Sequence, residues 1–195
     1  MKEKQYEKYM KQTSWFHGTT LKEWKKICKY KVQSDYNKGT ELDFGQGFYL
    51  APTYRQAANY ISRYLPYQGS NEIAVVIEFE LCLDNLRDKY KHTRFLHFDE
   101  EFADFVIMNR DNPTRIHHDY DFIVGVMTDS NPRELMKKYR KNIITHDELR
   151  RGLMKWNSME QVSLHNQEIC DILNVKKITI VNTGKELDFN EYGRI

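Results

Sequence analysis

The stretch that most restricts the fold is NEIAVVIEFEL, residues 71–81. It is rich in β-branched residues and alternates in its second half, which marks a strand. Shorter strand-like runs occur at 14–19 (SWFHGT), 47–51 (GFYLA), 121–127 (DFIVGVM), 161–166 (QVSLHN) and 176–181 (KKITIV). Helix-like segments interleave with them, yet several strand pairs lack the long crossover that parallel pairing requires. A wholly parallel, doubly wound sheet is therefore excluded. The expected class is α+β, with mostly antiparallel or mixed strands around a cleft.

The helices carry clear local signals. Residues 21–30 place Leu21, Trp24, Ile27 and Cys28 on one face, with Thr19 or Thr20 as cap. Residues 52–65 read as a helix with Pro52 at its start. Residues 97–110 are helix-like, and QEICDILN, which follows residue 166, is a short helix. NPRE (131–134) and THDE (145–148) resemble capping boxes and open two more. The charged stretch holding His92 and His97 reads as loop. With 195 residues, no repeat and no linker, the expectation is one domain over 1–195, residues 1–13 forming an N-terminal helix or tail.

Charge and motif inventory narrow the function. The net charge of +2 gives no global basic field for nucleic acid. No dinucleotide-binding GxGxxG follows a strand, and no P-loop exists. Seven histidines show no metal-ligand spacing, and adjacent His117 and His118 cannot share one face, so no metal is expected. Cys28, Cys82 and Cys170 form no CxxC and are expected to be buried free thiols in a reducing compartment. No apolar run approaches a membrane span and no secretory signal is visible. The expected location is cytoplasmic, with signal-less secretion left open and no membrane partner.

One segment asks for more than packing. DFGQGFYLAPTYRQAANY (43–60) places two of only nine glycines directly before Phe48 and Tyr49. Glycine serves where the backbone takes positive φ or closely approaches another group. That group is either protein or ligand. Upstream, FHGT (16–19) puts His17 at a strand end before Gly18. Taken singly, His17 is a half-buried structural histidine, Tyr49 a core residue and Tyr60 part of a helix's apolar face. Their combination carries the functional expectation.

FHGT followed some thirty residues later by FGQGFYLAPTYRQAANY resembles the NAD-binding half of ADP-ribosyltransferases of the diphtheria-toxin and poly(ADP-ribose) polymerase type. The resemblance spans about residues 14–181. It is dense at 16–19 and 44–60, and thinner at 161–166, where QVSLHN stands in place of a strand beginning with Glu. It implies a split mixed or antiparallel β-sandwich core with flanking helices around an NAD cleft. It also implies a bacterial branch of the family, with the role of toxin, effector, anti-phage factor or housekeeping enzyme left open. Tyr49 and Tyr60 would sandwich the nicotinamide ring. The backbone N–H and C=O of Gly18 would hold its carboxamide. His17 would bond the adenine-side ribose with Thr19 beside it, and Gly45 and Gly47 would let the strand lie close under the ligand.

The implied catalytic set is His17, Tyr49 and Gln161. Gln161 stands where the family carries Glu, so it keeps a hydrogen bond and loses the charge, which argues against polymer formation. Glu160 alternates to the opposite face. Ala57 stands where the polymerase branch carries a Ser that bonds the carboxamide. The expected activity is mono-ADP-ribosyl transfer from NAD to a macromolecular acceptor, protein or nucleic acid, with release of nicotinamide. A catalytically silent NAD-binding module and an NAD glycohydrolase are the alternatives. Trp156 and Asn157, in the segment before Gln161, are candidates for acceptor contact, and Asp121 and Asp129 for assistance at the cleft.

Overall fold

The computed structural model describes residues 1–67, 71–128 and 131–188. The chain begins with α1 (Glu3–Lys11), β1 (Ser14–Thr20), α2 (Leu21–Tyr30), β2 (Phe48–Leu50), α3 (Tyr54–Tyr67) and β3 (Ala74–Glu80). A 3₁₀ turn (Leu83–Leu86) leads to β4 (His92–Phe95), α4 (Glu100–Asp111), β5 (Phe122–Val126), α5 (Pro132–Arg140) and α6 (His146–Leu153). The last elements are β6 (Glu160–Leu164), α7 (Gln167–Asp171) and β7 (Asn174–Ile180).

The fold is α+β. One sheet is antiparallel in the order β1-β3-β7, and the other is mixed in the order β2-β6-β5-β4, with β4 parallel to β5. Among the described residues neither sheet closes into a barrel.

Local chemistry explains the element ends. Thr20 caps α2, its side chain accepting from the Glu23 N–H at 3.1 Å. Asp99 caps α4, Asn131 caps α5, and Thr145 with Glu148 closes a full capping box on α6. α3 differs from expectation. Thr53 Oγ1 accepts from the Gln56 N–H at 3.2 Å and the helix starts at Tyr54, so Pro52 lies outside it. The Pro52 carbonyl instead accepts from Gln12 Nε2 at 2.9 Å.

β4 overturns the loop expectation at His92. His92 lies flat on Phe122 of β5, ring centres 4.7 Å apart, and Phe95 packs against Phe44 and Phe105. The strand is held by its parallel neighbour, and α4 supplies the crossover that parallel pairing needs.

Two apolar layers form. Trp15, Val75, Ile77, Phe79, Phe48, Leu50, Val124, Val162 and Leu164 make a core shared by both sheets. Trp15 is fully buried and its Nε1 donates to the Leu81 carbonyl at 3.1 Å. Phe44, Phe95, Phe102, Val106, Ile123, Met136 and Leu149 make the second layer, between the mixed sheet and α4, α5 and α6. Each such large side chain contributes about 1.5–3 kcal/mol by leaving water. Cys170 is buried, whereas Cys28, inside α2, and Cys82, in the link between β3 and the 3₁₀ turn, are only half-buried. No helix among the described residues is long and apolar enough to cross a membrane.

Candidate functional site

The two sheets touch through one isolated bridge. Phe16 N–H donates to the Ala51 carbonyl at 3.0 Å, and Ala51 N–H donates back to the Phe16 carbonyl at 2.7 Å. Continued for two residues, that antiparallel ladder would pair Gly18 with Tyr49. It does not continue. The Tyr49 carbonyl accepts instead from the ring of His17, with Nδ1 at 2.8 Å. Antiparallel strands turn the backbone groups of alternate residues the same way. Gly18 therefore points its N–H and C=O outward as Phe16 does, away from β3 and toward the place where the strands part.

His17 is held on two sides. Its ring stacks on Phe48 with centres 4.4 Å apart. A carbonyl only accepts, so Nδ1 carries the proton and Nε2 is left as an acceptor. Burial lowers the pKa of His17, which keeps the ring neutral near pH 7. Thr19 is buried in β1 opposite Val75.

The glycines answer to the protein's own packing. A Cβ on Gly18 would stand 2.3 Å from the Ala57 carbonyl oxygen, so Gly18 lets α3 lie directly on β1. Gly45 has φ of 77° and would also meet Asn109 Oδ1 at 2.7 Å. A Cβ on Gly47 would meet the His165 ring at 2.7 Å.

Between them lies a loop in which every residue is pinned by a side chain. The Tyr49 hydroxyl donates to the Gly45 carbonyl at 2.7 Å and accepts from the Phe44 N–H at 3.1 Å. His118 Nε2 donates to the Phe44 carbonyl at 3.0 Å, and His165 Nδ1 to the Gln46 carbonyl at 2.5 Å. Asn37 takes both backbone groups of Gly47, at 3.0 and 2.5 Å. His165 Nε2 accepts from the Ser163 hydroxyl at 2.8 Å. Burial lowers the pKa of both histidines, that of His165 to about 3, so both are neutral clamps. Beside them a depression of about 200 Å³ is lined by Gln46, His118, Tyr120, Asp121 and His165.

Asp43 opens the loop and is 3% exposed. Its Oδ1 accepts from Arg110 Nε at 3.0 Å, Arg110 Nη2 at 2.7 Å and the Thr128 hydroxyl at 2.8 Å. Its Oδ2 accepts from the Thr128 N–H at 2.8 Å and from Gln161 Nε2 at 3.2 Å. Gln161 is 7% exposed and shares the face of β6 that carries Ser163. Glu160 points the other way, where the Tyr9 hydroxyl donates to its Oε2.

Tyr60 stands on α3 and is 49% exposed, outside that helix's apolar face of Ala57, Ala58, Ile61 and Leu65. One side of its ring is taken by Tyr64, centres 5.9 Å apart and planes 15° apart. Burial raises the pKa of its phenol, and the charges of Arg110, Arg133 and Asp43 act on it as well. Tyr49 is raised by burial and by the Asp43 charge.

The remaining expected residues divide. Trp156 is 78% exposed, in the segment leading into β6. Asn157 is structural: its Nδ2 donates to the Met127 carbonyl at 2.9 Å and its Oδ1 accepts from the Met159 N–H at 2.7 Å. Asp121 bonds the Lys91 N–H and Asn166 Nδ2, both at 2.8 Å, beyond the Phe122–Leu164 pair and thus away from Gln161 opposite Gly125. Asp129 lies outside the described residues. Among the described residues no group of three or more His, Cys, Asp or Glu converges on a possible metal position. Asp43, Arg110, Thr128 and His165 escape the sequence, because each acts through a partner far along the chain, and Asn37, ten residues from Gly47, escapes it because it sits in no recognisable motif.

No curated protein matches the sequence. A family model described as "Protein of unknown function (DUF3990)" matches residues 15–175, which is most of the chain and contains every one of the site residues named above. The chain belongs to the DUF3990 family.

Proposed function

We propose that the chain is an NAD-dependent mono-ADP-ribosyltransferase of the split β-sandwich type, with NAD bound where β1 and β2 part. The observation that carries this is the outward-facing N–H and C=O of Gly18, next to the Nε2 acceptor of His17 and opposite Tyr49. A primary carboxamide needs one donor and one acceptor at fixed spacing, and a strand edge offers both from one residue. The Tyr49 hydroxyl is satisfied by the loop, so its ring is what it offers a flat ligand. The open face of Tyr60 offers a second ring. The pinned loop holds the aromatic and Gln161 in place before substrate arrives, which is how positioning lowers a barrier.

The chemistry that fits is cleavage of the bond between ribose C1′ and the nicotinamide nitrogen. The bond's electrons leave with the ring, which departs neutral. The ribosyl carbon takes the positive charge and is captured by an acceptor nucleophile, which loses its proton. The amide of Gln161 can bond a ribose hydroxyl but adds no charge for the cation. The acceptor must then bring its own base, which favours a slow, acceptor-dependent transferase. Exposed Trp156, just ahead of β6, suits contact with a macromolecule.

A second reading has its own observation. Asp43 is neutralised by Arg110, so the group around Gln161 carries no net charge, as in a silent NAD-binding module. Incubation of the purified chain with labelled NAD, with and without cell lysate, separates the readings. Transferase activity is expected to release nicotinamide only with lysate and to label a macromolecule. Release without lysate indicates a glycohydrolase. Saturable binding without release in either condition indicates the silent module.

A further inference from the structure

We infer that Asp43 is a positioning residue that fixes which way the amide of Gln161 faces and excludes a carboxylate from position 161. The inference rests on the NAD site proposed above. A carboxylate only accepts, so the atom of Gln161 3.2 Å from Asp43 Oδ2 must be the NH₂ group. The carbonyl Oε1 is thereby turned the opposite way. Among the described residues no donor meets it, and it is not among the orphaned buried atoms. A side chain only 7% exposed thus keeps one polar atom for something outside the protein. A hydroxyl donor, such as that of a ribose, suits it.

The arrangement is rigid because Asp43 is itself over-determined. Arg110 and Thr128 occupy both of its oxygens, and Arg110 Nη1 also donates to the Glu41 carbonyl at 2.8 Å. Asp43 cannot swing away to make room. A Glu at position 161 would bring a second carboxylate against Asp43, and two carboxylates in one buried site cannot both ionise readily. Among the described residues the guanidinium within bonding distance of this place is that of Arg110, already shared with Asp43, and the Asp43 charge is felt by the buried phenol of Tyr49. The Gln is therefore the residue that this loop selects.

The test compares the parent chain with Gln161→Glu and with Asp43→Asn/Gln161→Glu, which keeps one carboxylate for Arg110. Thermal midpoints at pH 5 and pH 8 read the pairing without any activity. Gln161→Glu is expected to lose about 5 °C or more at pH 8 and much less at pH 5, where the added carboxyl is protonated in the fold. The double variant is expected to regain most of the loss. NAD titration into the same three proteins reads the ligand. Binding is expected to weaken about tenfold in Gln161→Glu and to recover in the double variant. Equal midpoints for parent and Gln161→Glu at both pH values would overturn the inference while NAD binding by the parent stood. A parent that binds no NAD would overturn the site on which it rests, even if the pH-dependent loss and its rescue were seen.

Discussion

The two faces of β6 differ in kind. Val162 and Leu164 point into an apolar layer built from both sheets. Gln161 and Ser163, one residue out of step, point to Asp43 and to His165. The apolar face follows from alternation alone, and any residue of similar size could hold it. The polar face is held by hydrogen bonds whose net gain is modest, and each leaves a costly orphan if one partner is removed. A fold needing only stability gains little from such a face. Its position, under Tyr49 and beside the parting of β1 and β2, ties it to the proposed site.

The sharpest way to break this comparison is Asp43→Ala. It leaves Arg110 charged and buried without its partner, and the expected loss is about 3–5 kcal/mol, measured by denaturant unfolding. Trp15→Ala on the apolar side is expected to cost a similar ~3–5 kcal/mol. Only the Asp43 loss should be relieved by also replacing Arg110 with Met, because only there is an orphaned charge responsible. Equal response of both to Arg110→Met would erase the distinction between the faces.

Gly18→Ala comes next. Its Cβ would collide with a backbone oxygen of α3 at 2.3 Å, a contact that no side-chain rotation relieves. A loss of about 1–3 kcal/mol is expected, with NAD binding lost as well because α3 and the edge of β1 must separate.

The pH dependence is set by the histidine clamps. His17, His118 and His165 all have folded pKa values below the ordinary value. The unfolded chain binds their protons first, so the stability they contribute is complete above about pH 6.5 and is lost as pH falls, for His165 down to about 3. His165→Gln is expected to flatten the fall in thermal midpoint between pH 7 and pH 5. An unchanged slope would show that His165 is not a neutral clamp. The smallest effect is expected at Trp156→Ala, within about 0.5 kcal/mol of the parent in stability, since its indole is 78% exposed, while labelling of the acceptor falls.

These contrasts match what was legible in the sequence. The α+β class, the central strand 71–81 and the capped helices follow from period, cap and turn chemistry, and the structure has them. His17, Gly18 and Tyr49 were visible as a motif, and they meet where the sheets part. β4 was not legible, because HTRF has one apolar residue and owes its extended form to a parallel neighbour and a ring stacked on Phe122. The polar face was not legible either. Asp43 reaches Arg110 across 67 residues, Thr128 across 85 and Gln161 across 118, distances over which no local pattern operates. Gly18, Gly45 and Gly47 could be marked as special from sequence, but only the packing of Ala57, Asn109 and His165 shows what each one accommodates.

The central claim is that NAD sits between β1 and β2, and calorimetric titration of NAD into the parent chain and Tyr49→Ala tests it most directly. Saturable binding by the parent, weakened by more than ~1 kcal/mol in Tyr49→Ala, is the expected result. Absence of binding by the parent, or equal affinity in a folded Tyr49→Ala, would contradict it.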